Sequence, residues 1–209
     1  MNMPRGDLNS ESAKWNNVYS ERPENLPWFG VDFPAEVQAF LSVLDRDDFL
    51  LVTGCGAGGT ADKLKSKGFA QILGTDISQT AIKIAKEKYS GIAFETLATE
   101  EIPLREKIKN VNTIDWLNLH QVQPCDKYLQ ALAAVSKNLC IVWIYNPEEK
   151  KAVKSYVHQG NISMHDPKVV QEIIETKGLK LKKQFNFSFT TNPNREVHEH
   201  KAVGQIYGK

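Results

Sequence analysis

One stretch constrains this chain more than any other: Leu50-Leu51-Val52-Thr53-Gly54-Cys55-Gly56-Ala57-Gly58-Gly59, with Asp76 further on. The apolar run over residues 49–53 has the length of a buried strand. It breaks into glycines, and residues 60–67 then read as a helix closed by Gly68. Glycines at the turn from a buried strand into a helix let the main chain come close to a ligand. Residues 71–75 read as the next strand, and Asp76 stands at its end. The first two strands of such a unit are neighbours, so Asp76 falls beside the glycine loop. A carboxylate there can accept both hydroxyls of a ribose. Glycines alone also serve tight turns, but strand, helix and acid together point to a nucleoside site. Which nucleoside stays open at this level. Gly54, Gly56 and Gly59 also satisfy G-x-G-x-x-G, the dinucleotide fingerprint, with an acid near the expected spacing.

The rest of the chain continues the alternation. Residues 34–44 read as a helix, with Val37, Phe40, Leu41 and Leu44 on one stripe and Pro34 in the first turn. Ser78 can cap a helix over 79–89 that carries Ile82, Ala85 and Tyr89 at helical spacing. Residues 92–96, 111–117 and 139–145 read as strands, and 127–135 as a helix. This order predicts an α/β fold with a doubly wound, mostly parallel sheet. A charged helix is expected after Pro147, then a second helix over 166–177 ending at Gly178. Residues 179–190 and 200–207 read as strands joined through Asn192, Pro193 and Asn194, a hairpin that is antiparallel at the end of a parallel sheet. Residues 1–12 read as a disordered lead. Between 12 and 33, Trp15, Tyr19, Trp28 and Phe29 stand among prolines and charges, which suggests an arm or lid. The expected organisation is an arm over 1–33 and one domain over 34–209.

Composition narrows the function classes. The formal net charge of +1 gives no field to recruit nucleic acid or an acidic membrane. The three cysteines, Cys55, Cys125 and Cys140, have no zinc or redox spacing and read as reduced thiols. The longest apolar run, 139–145, is far too short to span a bilayer. Residues 1–12 are polar and lack the apolar stretch of a secretory signal, so the expectation is a cytoplasmic protein. His198 and His200 alternate along a strand without a third metal ligand and read as a solvated face. Lys180, Lys182 and Lys183 read as a solvated strand edge.

Residues 54–88 resemble the first two motifs of class I S-adenosylmethionine-dependent methyltransferases. Gly54-Cys55-Gly56-Ala57-Gly58 resembles their G-x-G-x-G loop. Asp76-Ile77-Ser78, with Ala81-Ile82 and Ala85-Lys86, resembles their ribose-binding strand end and next helix. Thr99-Glu100-Glu101-Ile102-Pro103 is similar to the segment near the adenine, and Leu119-His120-Gln121-Val122 to the turn after the fourth strand. The terminal hairpin resembles their reversed seventh strand, which implies a seven-stranded Rossmann-like sheet. Trp15-Asn16-Asn17-Val18-Tyr19 and Pro27-Trp28-Phe29 are similar to the arm of thiopurine-methyltransferase-like and tellurite-resistance-like small-molecule methyltransferases.

The resemblance implies S-adenosylmethionine as cofactor. It would lie against Trp15, Gly54, Cys55, Gly56, Asp76, Ile77, Ala98, Thr99 and Asn118, with Trp28 and Tyr145 facing the acceptor. His120, just past the fourth strand, is the candidate base for an acceptor that arrives protonated. Methyl transfer is an in-line displacement, so the enzyme mainly positions the nucleophile and excludes water. Two places depart from the family pattern. Val52 and Thr53 stand where an acid usually precedes the glycine loop, and Leu97 and Ala98 where an acid takes the adenine amino group. Each missing charge-assisted bond is worth ~1.5–3 kcal/mol, so other groups must substitute or the domain binds without catalysis. A nicotinamide-dependent oxidoreductase is the reading from another class. A small-molecule acceptor is expected, with a protein lysine as the other option.

Overall fold

The computed structural model describes residues 8–21, 31–122, 124–146, 153–154, 161–191 and 198–209. Its centre is the predicted strand β1 (Phe49–Thr53), flanked by β2 (Gln71–Asp76) and β4 (Val111–Trp116), both parallel to it. With β3 (Ala93–Thr96), β5 (Ser136–Ile144), β8 (Lys180–Thr191) and β9 (His198–Gly208) the order is β3-β2-β1-β4-β5-β9-β8. The first five strands are parallel, and β9 runs antiparallel to both β5 and β8. This is the seven-stranded, mostly parallel sheet with a reversed terminal hairpin that the alternation implied.

Helices cover both faces because the strands alternate. On β5, Cys140 and Val142 face one core, shared with α2 (Ala35–Ser42), α3 (Gly59–Ser66) and α4 (Gln79–Lys88). Leu139, Ile141 and Trp143 face the other, shared with α5 (Asp126–Val135) and α6 (Pro167–Glu175). A strand buried on both sides must be apolar at every position, which is why 139–145 reads as a continuous run. β8 is an edge strand, and the exposed Lys180, Lys182 and Lys183 flank a register shift between Leu181 and Lys183. Charge and irregularity on an edge both discourage pairing with another sheet.

Two expectations need correction. The lead over 1–12 was expected to be disordered, but α1 (Leu8–Glu21) already covers its residues 8–12. Tertiary contacts hold the helix against the turn after β2. Ser12 Oγ donates to the Ile77 carbonyl at 3.0 Å, and Asn16 Oδ1 accepts from Ser78 Oγ (2.9 Å) and from the Thr80 amide (3.0 Å). One helix face, at i and i+4, thus reads the turn after β2. The charged helix expected after Pro147 is also not found where residues are described. Val153–Lys154 instead pairs with Asn161–Ile162 as strands β6 and β7 of a separate small sheet. The rest of that expectation, like Trp28 and the hairpin loop at 192–194, lies outside the described residues. Among the described residues, no helix is long and apolar enough to cross a membrane.

The docking of α1 can be tested at Asn16. Asn16→Ala removes an acceptor shared by two donors, worth about 1–2 kcal/mol. Amide hydrogen exchange should speed up in α1 while protection in β1 and β4 is unchanged. Equal exchange in the variant and the wild type would show that α1 is held by other contacts.

Candidate functional site

β1, β2 and β4 all end at one edge of the sheet, and the turns that leave them meet there. Gly54 and Gly56 have φ of 54° and 53°, a region that side chains seldom tolerate. Space forbids a side chain as well. A Cβ on Gly54 would collide with the Asn118 amide, and one on Gly56 with the Tyr19 hydroxyl. The loop is therefore pressed between the turn after β4 on one side and α1 on the other.

Asp76 holds the loop in place. Its Oδ2 accepts from the Gly56 amide at 2.9 Å and its Oδ1 from the Ser78 amide at 2.8 Å. Each oxygen keeps a lone pair for a further donor, as two vicinal hydroxyls require. Burial raises the carboxyl to about 6, against the pull of the Ser78, Gly56 and Ile77 amides. Ser78 also caps α4 by accepting from Ala81 at 3.1 Å. The half-buried Ile77 is the residue whose carbonyl Ser12 holds.

Asn118 reaches the loop through an unusual turn. Leu117 leaves β4 with φ of 60°, a conformation a leucine adopts only under constraint. Its amide is fixed on the Val142 carbonyl at 2.8 Å. The turn lays the Asn118 side chain back across β1, where its amide donates to the Thr53 carbonyl at 2.8 Å. Under it, Thr53 Oγ1 donates to Asp115 Oδ2 at 2.8 Å, and the Tyr128 hydroxyl donates to the same oxygen. Asp115 lies level with Thr53 in the ladder. Burial raises its carboxyl to about 6, while bonds from Tyr128, Thr53 and Asn118 work the other way.

The predicted residues separate into two groups. Gly54, Gly56, Asp76, Ile77 and Asn118 come together at one place, and Trp15 packs beside it with Tyr19, Ala57 and Ala81. Ala98 and Thr99 are buried at the start of the 3-10 turn Thr99–Leu104, next along the edge, where the Leu97 amide bonds the Asp76 carbonyl at 2.9 Å. Cys55 contributes main chain only. Its amide bonds the Thr75 carbonyl, and its thiol is buried toward Gly74 and pushed well up by burial and by Asp76. His120 sits in the short 3-10 turn Leu119–Gln121 at the same edge, 3% exposed, and its carbonyl accepts from the Ser163 amide at 2.8 Å. Tyr145 stands apart, packed against the core under α5 and α6.

Sequence reasoning missed Tyr19, Asp115 and the hairpin aromatics. Tyr19 had a signal, since Trp15 and Tyr19 lie one turn apart on a helix face. So had Asp115, an acid inside an otherwise uncharged strand. The aromatics Phe185, Phe187 and Phe189 alternate on β8, and Phe187 stacks on Trp116 (centroids 6.0 Å apart, 19° between planes). Phe33 meets Trp116 edge-on at 4.9 Å. Phe189 stacks on His200 at 5.1 Å, and His200 Nε2 is 2.8 Å from Thr191 Oγ1. His200, expected on a solvated face, is half-buried and belongs to this aromatic row.

Fold and cradle together define a class: an α/β domain shaped to receive a nucleoside across the ends of its first two strands. Residues 50–139 match the family described as a methyltransferase domain. Several solved structures share the fold. A protein that converts a disulfide bond into a thioacetal group during echinomycin biosynthesis is 20% identical, with a TM-score of 0.73 over 94% of this chain and 91% of its own. A SAM-dependent methyltransferase from Anabaena variabilis is 15% identical, with a TM-score of 0.73 over 100% and 98%. Magnesium protoporphyrin IX methyltransferase from Synechocystis, solved with bound SAM, is 13% identical, with a TM-score of 0.66 over 100% of both chains. At these identities the likeness is one of fold. No curated protein matches in sequence. The domain match supports a methyltransferase enzyme, and S-adenosylmethionine is the cofactor of that domain. The cradle suits such a ligand: a buried carboxylate with acceptor capacity left on both oxygens, beside a glycine loop at positive φ.

Asp76→Ala should weaken S-adenosylhomocysteine binding by roughly 2 kcal/mol or more, because an ionised acceptor shared by two hydroxyls is lost. An unchanged dissociation constant in the folded variant would place the ribose elsewhere. The raised carboxyl also sets a pH dependence. Between about pH 4 and pH 6 the folded, ligand-free protein holds a proton that the unfolded chain has released, so this group's contribution to stability falls as pH rises through that window. Asp76→Asn removes the contribution. Thermal unfolding should therefore show the variant gaining on the wild type from pH 4 to pH 6, and a constant difference would contradict the assignment.

Proposed function

We propose that this chain transfers a methyl group from S-adenosylmethionine to a small acceptor with a flat, apolar face. The observation that carries the acceptor class is the aromatic row on the terminal hairpin. Ile144, the last residue of β5, is level with Ala202 on β9, and Ala202 with Phe187 on β8. Both hairpin strands run on past that level, to Thr191 paired with His198. That is roughly 13 Å of extra strand at ~3.3 Å per residue. The overhang forms a wall at the edge where the cradle opens, faced by the half-buried Phe187, Phe189 and His200. Trp116 joins its foot to Leu117 and Asn118, and so to the glycine loop. Aromatic walls hold planar acceptors by stacking and by apolar burial.

In this reading the main chain of Gly54, Cys55 and Gly56 and the side chain of Asn118 hold the methionine end of the cofactor. Asp76 takes the ribose, Ile77, Ala98 and Thr99 border the adenine, and Trp15 covers it from α1. His120 takes the proton from an acceptor that arrives protonated. Its burial limits it to an acceptor seated against the turn after β4. Trp28 is a proposed acceptor contact, whereas Tyr145 packs on the α5 and α6 side, away from this wall. Methyl transfer then needs only an aligned nucleophile and a site closed to water. The reversed hairpin favours this over nicotinamide chemistry, since the glycine pattern alone suits both. The aromatic arm favours the small-molecule enzymes of the thiopurine-methyltransferase-like kind, in the cytoplasm.

The test is S-adenosylhomocysteine release across small aromatic and aliphatic acceptors and across lysate fractions. Turnover of aromatic acceptors is expected, with Phe189→Ala raising KM about five- to tenfold, the effect of ~1–1.4 kcal/mol of lost stacking and burial. Turnover confined to the macromolecular fraction and abolished by protease would overturn the small-acceptor reading.

A further inference from the structure

Beneath the cradle lies a carboxylate that no cation answers. Asp115 is 0% exposed, and no donor among the described residues meets its Oδ1 with hydrogen-bond geometry, although Asn118 lies close enough to pull its carboxyl down. The ion pairs found among those residues, Lys14–Glu11, Lys63–Asp32, Arg105–Glu95 and Lys137–Asp48, all lie elsewhere. The titratable groups that face Asp115 are Tyr128 from α5 and Cys140 from β5, and both are pushed up by burial first and by Asp115 second, so they stay neutral. A charge buried without a counter-charge is costly, and in a low-dielectric surround it attracts a cation strongly. Only Thr53 and Asn118 separate Asp115 from Gly54. β1 brings no acid of its own there, since Val52 and Thr53 precede the loop.

We propose that Asp115 is the counter-charge for the cationic half of S-adenosylmethionine, its ammonium and sulfonium, and acts as a positioning residue from beneath Thr53 and Asn118. The inference rests on the cofactor reading above. The charge acts through two hydrogen-bonded residues and not by contact, which fits its complete burial. It supplies from the fourth strand the negative potential that the first strand lacks. The same carboxylate fixes Thr53 and Tyr128, so the floor of the cradle is held while the ligand enters.

Calorimetric titration of wild type and Asp115→Asn with three ligands tests this. S-adenosylmethionine carries both positive groups, S-adenosylhomocysteine keeps the ammonium, and methylthioadenosine keeps the nucleoside and thioether but neither charge. The variant preserves size and acceptor and removes the charge. Its dissociation constant for S-adenosylmethionine should rise about tenfold. That for S-adenosylhomocysteine should rise less, and that for methylthioadenosine should stay within about twofold. Equal losses for all three would mark a structural role and overturn the proposal, as would no loss at all. Failure of wild type to bind any of the three would instead defeat the cofactor reading itself.

Wild type alone gives a second test should the variant not fold. The preference for S-adenosylmethionine over methylthioadenosine should shrink as pH falls from neutrality to about 5, because Asp115 takes up a proton. Asp76 cancels from that ratio, since both ligands carry the ribose. A preference that does not change with pH would overturn the proposal.

Discussion

The two hydrogen bonds that Asp76 accepts from the Gly56 and Ser78 amides are the joint on which the rest of the site depends. They tie the loop after β1 to the turn after β2. Together with the Cys55 amide on the Thr75 carbonyl, they hold in one conformation a glycine loop that could otherwise adopt many. With them, one carboxylate sets the loop, marks where two hydroxyls can bind and leaves Ser78 free to cap α4. α1 then docks on the same turn through Ser12 and Asn16, so the arm is positioned by the ligand-binding segment itself.

The site concentrates buried acid where the fold can best tolerate it. Asp76 and Asp115 end adjacent parts of one edge, and burial raises both to about 6. Main-chain amides satisfy Asp76, which makes it a hydrogen-bond acceptor first. Asp115 takes hydroxyl donors on Oδ2, while no donor among the described residues meets Oδ1 with hydrogen-bond geometry, so its charge is less fully answered than that of Asp76. The strained Leu117 belongs to the same economy, since its positive φ is what turns Asn118 back onto Gly54. Strain and desolvation are thus placed around a ligand that is cationic at one end and carries a diol at the other.

Much of the fold was legible because its signals are local. β1 was bounded to the residue by an apolar run and a glycine. Ser78 announced α4 by its cap, and the hairpin showed by alternation after Gly178. Asp76 was legible because strand order alone brings it to the loop. What failed was what tertiary contact decides. The docking of α1 uses hydrogen bonds to residues 77–80, some sixty positions away, and propensity carries no trace of them. Asp115 was hidden because its partners, Thr53 and Tyr128, come from other elements. The aromatic wall needed the register of β8 on β9 and of β9 on β5 before Trp116 and Phe187 could be known to stack. The pairing of β6 with β7 was likewise not legible, since it joins two short segments that carry no strand pattern of their own.

The central claim is that the cradle accepts the adenosine of S-adenosylmethionine and not a nicotinamide dinucleotide, although its glycines would satisfy either. Heat of binding decides between them with one sample of protein. Titration with S-adenosylhomocysteine should show saturable binding of one ligand per chain, and titration with oxidised or reduced nicotinamide dinucleotide should show none. Saturable binding of the dinucleotide, with no response to S-adenosylhomocysteine, would contradict the account.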